Sequence, residues 1–152
     1  MTLYLVQHGL AVSEEQDPKR PLSVEGRTES ERVAAAAARA GLAVKSIHHS
    51  GRLRAAQTAE IFAAALRPAG GIAALDGIDP KDSPEAALLA IAGWTQPAMI
   101  VGHMPHLEKL AAMLITGSAG KGVISFRNAA VNALVLTDDG WRVKFVMTPE
   151  LV

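Results

Sequence analysis

Short apolar segments alternate with helix-forming segments along most of this chain, and this alternation restricts the fold more than any other feature. Strands that helices cover on both faces are continuously apolar rather than alternately apolar and polar. The pattern therefore predicts an α/β domain with a mostly parallel central sheet. The predicted strands are residues 3–6, 46–49, a weak 72–75, 98–101, 123–126, 130–136 and 141–147.

The predicted helices have recognisable ends. Ser23 is a good N-cap for a helix that runs to about residue 40, where Gly41 stops it. Further helices are predicted over residues 52–66, 83–92 and 105–115. The segment Thr137-Asp138-Asp139-Gly140 is typical of a turn, so the last two strands should form an antiparallel hairpin beside the parallel ones.

Composition narrows the class of protein. The 152 residues suffice for a single domain over 1–152, and 49% hydrophobic with 20% charged residues is typical of a soluble globular protein. The absence of cysteine excludes disulfides, thiolate zinc sites and a cysteine nucleophile. A net charge of zero gives no reason to expect nucleic-acid or membrane partners. With neither a basic leader nor an apolar run of about 18 residues, the expected location is cytoplasmic.

Unusual residues follow three of the predicted strands. The first strand ends in Gln7-His8-Gly9, the second in His49-Ser50-Gly51 followed by Arg52 and Arg54, and the strong strand 98–101 in Gly102-His103. Open α/β sheets bind ligands at the carboxyl ends of their strands, so two histidines and one or two arginines should meet in one cleft.

That set of residue types suits phosphoryl transfer. A neutral imidazole can attack phosphorus, and arginine binds phosphate oxygens as a permanently charged planar fork. A second histidine can donate to a phosphoryl oxygen, and neighbouring glycine lets phosphate approach the backbone. This chemistry requires no cofactor and no metal.

Four blocks of sequence, in order and spanning nearly the whole chain, resemble the histidine phosphatase superfamily, and its SixA-type branch in particular. Its Arg-His-Gly signature is matched by Val6-Gln7-His8-Gly9, and the segment that follows by Lys19-Arg20-Pro21-Leu22-Ser23-x-x-Gly26. The other two blocks are Ser50-Gly51-Arg52-Leu53-Arg54-Ala55-Ala56-Gln57-Thr58 and Val101-Gly102-His103-Met104-Pro105.

The resemblance implies a fold and a set of roles. The fold would be the phosphoglycerate mutase-like three-layer α/β/α sandwich. His8 would accept the phosphoryl group, Arg54 would grip it and His103 would complete the catalytic set. Gln7, Gly9 and Arg20 would contact substrate, with Arg20 near the mouth of the pocket. Because SixA-type enzymes dephosphorylate phosphohistidine on proteins, a phosphorylated protein or a small phosphate ester is the expected partner.

Two departures from the family pattern bear on activity. Gln7 replaces the first arginine of the signature and brings no charge, and Gly51 replaces a proline in the loop. No motif marks a general acid, although Glu14, Glu15 and Asp17 follow His8 closely in sequence. An alternative is therefore a phosphate- or phosphoprotein-binding module with weakened catalysis; a small mutase is a third possibility.

Other interpretations of single residues remain open. His103 and His106 have the i, i+3 spacing of a metal site, but no third ligand is evident. Arg52 lies two residues from Arg54 and therefore on another face of the helix, where it should be exposed. Asp138 and Asp139 fit a turn better than a catalytic carboxylate pair.

Overall fold

The computed structural model describes residues 1–152, and all four predicted helices are present in it. The helices are α1 (Val24–Arg39), α2 (Leu53–Leu66), α3 (Glu85–Ala92) and α4 (His106–Thr116), and a 3₁₀ turn (Pro149–Leu151) closes the chain. The strands are β1 (Thr2–Gln7), β2 (Ser46–His49), β3 (Ile72–Ala74), β4 (Ala98–Gly102), β5 (Val131–Thr137) and β6 (Gly140–Met147).

All six strands form one sheet in the order β3-β2-β4-β1-β5-β6. The first four strands in this order are mutually parallel. β5 runs antiparallel to β1, and β6 pairs with β5 as the predicted hairpin. The prediction of a mostly parallel sheet with antiparallel strands from the C-terminal part of the chain is confirmed.

Helices cover both faces of the sheet. On one face, Tyr4 and Val6 of β1 belong to a buried cluster with residues of α1 and α2, including Phe62. On the other face, Leu3 and Leu5 pack with residues of α3 and α4. Successive side chains of a strand point to opposite faces, so a continuously apolar β1 serves both cores. The three-layer α/β/α arrangement is therefore confirmed.

The predicted strand at residues 123–126 is wrong, because this segment pairs with no other strand. Ile124 and Phe126 are instead half-buried against the cluster formed by α3 and α4. β4 and β5 already pair with the two edges of β1, so neither edge is open to this segment. A short apolar run can be buried by packing against helices as well as by strand pairing, and sequence pattern does not distinguish the two cases.

The start of α1 packs closely against the segment that follows β1. Ser23 Oγ accepts the Gly26 N–H at 2.9 Å, which caps the helix as predicted. A Cβ atom at Gly26 would lie 2.0 Å from the Leu10 carbonyl oxygen, and one at Gly9 would lie 2.5 Å from Ser30 Oγ. Only glycine permits this approach, which fixes the chain just after His8.

None of the helices has the length and apolarity needed to span a bilayer.

Candidate active site

His8 and His103 lie side by side at the carboxyl edge of the sheet. They follow β1 and β4, which are parallel neighbours, and their ring centroids are 5.0 Å apart with the planes tilted by 55°. Ser50 follows β2, the next strand along, and Arg54 lies in the first turn of α2. The convergence of these residues predicted from the sequence is therefore present.

Two contacts determine the tautomer of His8. Its Nδ1 lies 2.7 Å from the Gly9 carbonyl oxygen, which can only accept a hydrogen bond, so Nδ1 carries the proton. Nε2 then has a free lone pair, and it accepts a hydrogen bond from Arg54 Nε at 3.3 Å. Burial, with smaller contributions from the Arg54 and Arg20 charges, lowers the pKa of His8 to about 4. The ring is neutral at pH 7, as a nucleophile must be.

Three hydrogen bonds from distant parts of the chain hold the backbone of His8 and Gly9. The His8 N–H donates to the Gly102 carbonyl at 3.0 Å, and Asn128 Nδ2 donates to the His8 carbonyl at 2.8 Å. The Gly9 N–H donates to Thr58 Oγ1 at 3.0 Å. Because β4, α2 and the segment before β5 each contribute one contact, the position of the His8 ring is set by the whole fold.

Arg54 is a buried cation without a carboxylate partner. Only 8% of the residue is exposed, and none of the four ion pairs in the structure includes it. Burial is the main cause that lowers its pKa, and the nearby charges of Arg20 and Arg52 act in the same direction. A buried charge is costly unless something pairs with it, so the site is suited to receive an anion.

His103 is fixed by a short hydrogen bond. It is 1% exposed, and its Nε2 lies 2.6 Å from Ser50 Oγ. Burial, and then the nearby His8, Arg54 and Arg52, lowers the pKa of His103 to about 3. Both histidines are therefore neutral, and only the arginines make the pocket positive.

The residues expected to contact substrate lie around this pair. Arg20 is half-buried in a left-handed backbone conformation (φ 48°), and its Nε donates to the Val12 carbonyl at 3.1 Å. Its charge contributes to lowering the pKa values of both His8 and Arg54. Gln7 is half-buried at the end of β1.

Asp79 is the carboxylate that the sequence analysis missed. Its Oδ1 accepts a hydrogen bond from Arg52 Nε at 2.8 Å, and this bond is the main cause that lowers the Asp79 pKa. Asp79 is therefore ionised at pH 7 and cannot serve as a proton donor there. Its isolated position before α3 carries no motif that could have identified it.

The acidic residues considered from the sequence are not placed as buried acids. Glu14 and Glu15 are exposed, and Asp17 Oδ1 accepts the Lys19 N–H at 2.9 Å in its own loop. The structure therefore singles out none of the three as a general acid beside His8.

The i, i+3 histidine pair has no third potential metal ligand beside it. His106 is completely buried, and both its ring nitrogens lack hydrogen-bond partners. No group of three or more His, Asp or Glu side chains is placed to hold a metal ion. Arg52, in contrast, is exposed as predicted.

Sequence comparison matches the first half of the chain to a family. A family model described as the histidine phosphatase superfamily (branch 1) matches residues 3–78. An uncharacterized protein of Picosynechococcus sp. (strain PCC 7002) is 33% identical over 154 aligned positions, which cover 91% of this chain and 92% of that protein.

Solved structures of similar fold cover the whole chain. A protein histidine phosphatase SixA in complex with tungstate superposes with a TM-score of 0.83 at 24% identity, covering 98% of this chain and 97% of that one. A protein of Agrobacterium tumefaciens named as a phosphohistidine phosphatase SixA gives a TM-score of 0.80 at 26% identity and 97% coverage of both chains. The likeness extends through both halves of the sheet.

Proposed function

This chain belongs to branch 1 of the histidine phosphatase superfamily, and from that premise we propose that it is a metal-independent phosphatase that works through a covalent phosphohistidine at His8. The observation that carries the proposal is the state of that ring: neutral, protonated on Nδ1, with the Nε2 lone pair beside a buried cation that lacks a carboxylate partner. Family membership and SixA-like neighbours support phosphatase activity as the general class of reaction.

The first step transfers the phosphoryl group to the enzyme. His8 Nε2 forms a bond to phosphorus while the bond between phosphorus and the leaving group breaks. Arg54 holds the phosphoryl oxygens with its guanidinium, and His103 donates to one of them from Nε2 once a phosphoryl oxygen replaces Ser50 as its partner. Such preorganised donors stabilise the charge that shifts to these oxygens during transfer.

The second step regenerates the enzyme. Water attacks phosphorus, the bond to His8 Nε2 breaks, and inorganic phosphate leaves while His8 returns to its neutral form. The Gly9 carbonyl, which lies 2.7 Å from Nδ1, favours a proton on that nitrogen. Neither step involves a change of oxidation state.

We infer that phosphohistidine in proteins is the better substrate, with small phosphate esters second. A departing histidine has a pKa of about 6.5 and leaves without strong acid assistance, whereas an alkoxide needs a proton donor. Asp79 is held ionised by Arg52 and cannot supply that proton. The SixA proteins of similar fold support the same substrate class.

The direct test compares wild type with His8→Ala on two substrates, a phosphohistidine-bearing protein and p-nitrophenyl phosphate. We expect wild type to release phosphate and to form an acid-labile phosphoenzyme, and His8→Ala to do neither. His48→Ala is the matched control, because His48 stacks on Trp94 outside the site and its loss should leave turnover intact. Equal rates for wild type and His8→Ala on both substrates would refute the proposal.

A second candidate function is a phosphate- or phosphoprotein-binding module with weak turnover, and Gln7 is the observation that favours it. The charge missing at this position lowers transition-state stabilisation more than it lowers simple binding. Calorimetric titration with tungstate, together with the phosphate-release assay, distinguishes the two functions. A binding module binds tungstate with negligible turnover, whereas a phosphatase binds tungstate and also releases phosphate. Absence of tungstate binding would eliminate both candidates.

A further inference from the structure

An ion pair lies next to the proposed active site. Arg52, the residue that precedes α2, donates from Nε to Asp79 Oδ1 at 2.8 Å, and the two side chains are each 46% exposed. Together with Pro80, Lys81 and Asp82 they line a polar recess of about 440 Å³. The pair is thus accessible to a ligand from solvent.

The pair is connected to the two buried members of the site. The Arg52 N–H donates to Ser50 Oγ at 3.3 Å, and Ser50 Oγ in turn lies 2.6 Å from His103 Nε2. The charges of Arg52 and Asp79 both act on Arg54 and on His103. An anion held between Arg54 and His103 therefore lies within the field of both partners.

Asp79 is itself held in place on its far side. Its N–H donates to Asp82 Oδ2 at 2.8 Å, which anchors the backbone of the turn before α3. Arg52, in contrast, ends in a long and flexible side chain. If the pair opens, the guanidinium is the partner free to move.

We propose that Arg52 becomes a phosphate-binding residue when a ligand enters the site. The phosphoryl oxygens of the ligand displace the Asp79 carboxylate and form hydrogen bonds with the Arg52 guanidinium. This rests on the proposed function, since it requires phosphate at Arg54 and His103. Both ligand and Asp79 are oxyanions that match the guanidinium fork, and a phosphoryl dianion carries the greater charge. Arg52 in this way supplies the cation that Gln7 does not.

The exchange also affects selectivity. Every ligand must compete with an internal carboxylate for Arg52, so an anion of single charge gains little from the displacement. A doubly charged phosphoryl group gains more because it interacts with Arg52 and Arg54 together. Asp79 is accordingly a specificity-determining residue rather than an acid catalyst.

The experiment is a double-mutant cycle on the full chain: wild type, Arg52→Gln, Asp79→Asn and the double variant, each titrated calorimetrically with tungstate at low salt and pH 7.5. Asp79→Asn frees Arg52 and should tighten binding about 2- to 5-fold, the range expected for an exposed ion pair. In the Arg52→Gln background the same substitution should change affinity by less than about 1.5-fold, because nothing remains to be freed.

Asp76→Asn is the matched control, since it removes an equal charge from the same loop between β3 and α3, where Asp76 is exposed and forms no ion pair with Arg52. Its effect on affinity should be the same in the wild-type and Arg52→Gln backgrounds. An equal gain from Asp79→Asn in both backgrounds would show that Asp79 acts only through its field, and would overturn the proposal. Unchanged affinity in both single variants, Arg52→Gln and Asp79→Asn, would overturn it as well.

The two proposals fail in different ways. Suppose that wild type binds tungstate, that His8→Ala abolishes turnover and that the cycle shows no coupling between Arg52 and Asp79. The proposed phosphate-binding role of Arg52 is then wrong, and the proposed phosphatase function is retained. If wild type neither binds tungstate nor turns over phosphohistidine, the proposed function is overturned and the role of Arg52 falls with it.

Discussion

Ser50 Oγ lies 2.6 Å from His103 Nε2, so a residue at the end of β2 fixes the ring that follows β4. Ser50→Ala removes the only hydrogen bond of a ring that is 1% exposed, because His103 Nδ1 has no partner. We expect kcat/KM to fall about 5-fold, because the free His103 ring is no longer held in the orientation from which it binds the incoming phosphoryl oxygen, and a hydrogen bond is worth about 1 kcal/mol net. Steady-state kinetics with a phosphohistidine-bearing protein measures the change.

Ser46→Ala is the control for that variant. Ser46 Oγ makes a similar bond of 3.0 Å to His48 Nε2, at the start of the same strand and away from the site. A loss of activity equal to that of Ser50→Ala would mean that the Ser50 effect reflects β2 stability and not the orientation of His103.

Gln7→Arg should raise turnover. The added guanidinium would lie at the end of β1 next to His8 and would stabilise the charge on the transferred phosphoryl group. A hydrogen bond between charged groups is worth about 1.5–3 kcal/mol, which corresponds to about 10- to 150-fold in rate. The measurement is kcat/KM for phosphohistidine hydrolysis.

Gln96→Arg provides the comparison for Gln7→Arg. It adds the same charge at an exposed position just before β4, at the opposite edge of the sheet. Its rate should equal that of wild type. If Gln7→Arg also leaves the rate unchanged, the missing arginine does not limit this protein, and the weakened-binder interpretation loses its basis.

The sequence predicted that His8, Arg54 and His103 would lie close together, because each follows a strand that could be identified individually. His8, Arg54 and His103 come together once β1, β2 and β4 are parallel neighbours, and continuous apolar strands are a strong signal for such a sheet. The motif block also included Thr58, whose hydroxyl accepts the Gly9 N–H.

The contacts that the sequence did not reveal join residues far apart along the chain. Asn128 is 120 positions from the His8 carbonyl that it binds, and Asp79 is 27 positions from Arg52. Neither lies in a motif, and their partners depend on how loops pack after the sheet has formed. The wrong prediction of a strand at 123–126 has the same cause, since the apolar side chains of this segment pack against helices and its backbone pairs with no strand.

Thr58→Val should destabilise the fold and slow the reaction. Thr58 is fully buried, and its Oγ1 accepts the Gly9 N–H at 3.0 Å while donating to the Arg54 carbonyl at 2.8 Å. Valine has the same shape but leaves the buried N–H unpaired, at a cost of about 1–3 kcal/mol. Urea unfolding measures the loss of stability, and kcat should fall because the backbone beside His8 is released.

Thr28→Val is the matched control for Thr58→Val. Thr28 Oγ1 makes the same helical bond, to the Val24 carbonyl at 2.9 Å, on the exposed face of α1. Its loss should change stability by less than about 0.5 kcal/mol. Similar losses in the two variants would attribute the effect to valine in a helix and not to the Gly9 contact.

Stability should fall on mild acidification because of buried histidines. Burial lowers the pKa of His8 to about 4, that of His103 to about 3, and that of His106 below its usual value. Between about pH 6.5 and 5.5 the unfolded chain takes up protons at these residues and the folded chain does not. The free energy of unfolding should therefore drop by about 1 kcal/mol for each of His8 and His103 over this interval, and His106 should add to the drop.

His106→Leu isolates one of these contributions. The ring approaches the Ser83 backbone without forming a full hydrogen bond, and both its nitrogens are buried and unpaired. Leucine fills a similar volume and cannot take up a proton, so the loss of stability between about pH 6.5 and 5.5 should be smaller than in wild type. At pH 7.5 the variant should be as stable as wild type or more so, because leucine removes the two unpaired ring nitrogens of His106.

Urea titrations of wild type, His106→Leu and His49→Gln at pH 7.5, 6.5 and 5.5 test this prediction. His49 is half-buried, and the nearby Glu60 opposes the lowering of its pKa by burial, so His49→Gln should reduce the pH dependence less than His106→Leu does. Parallel stability curves for wild type and His106→Leu would mean that His106 is protonated equally in the folded and unfolded chains, which its complete burial argues against.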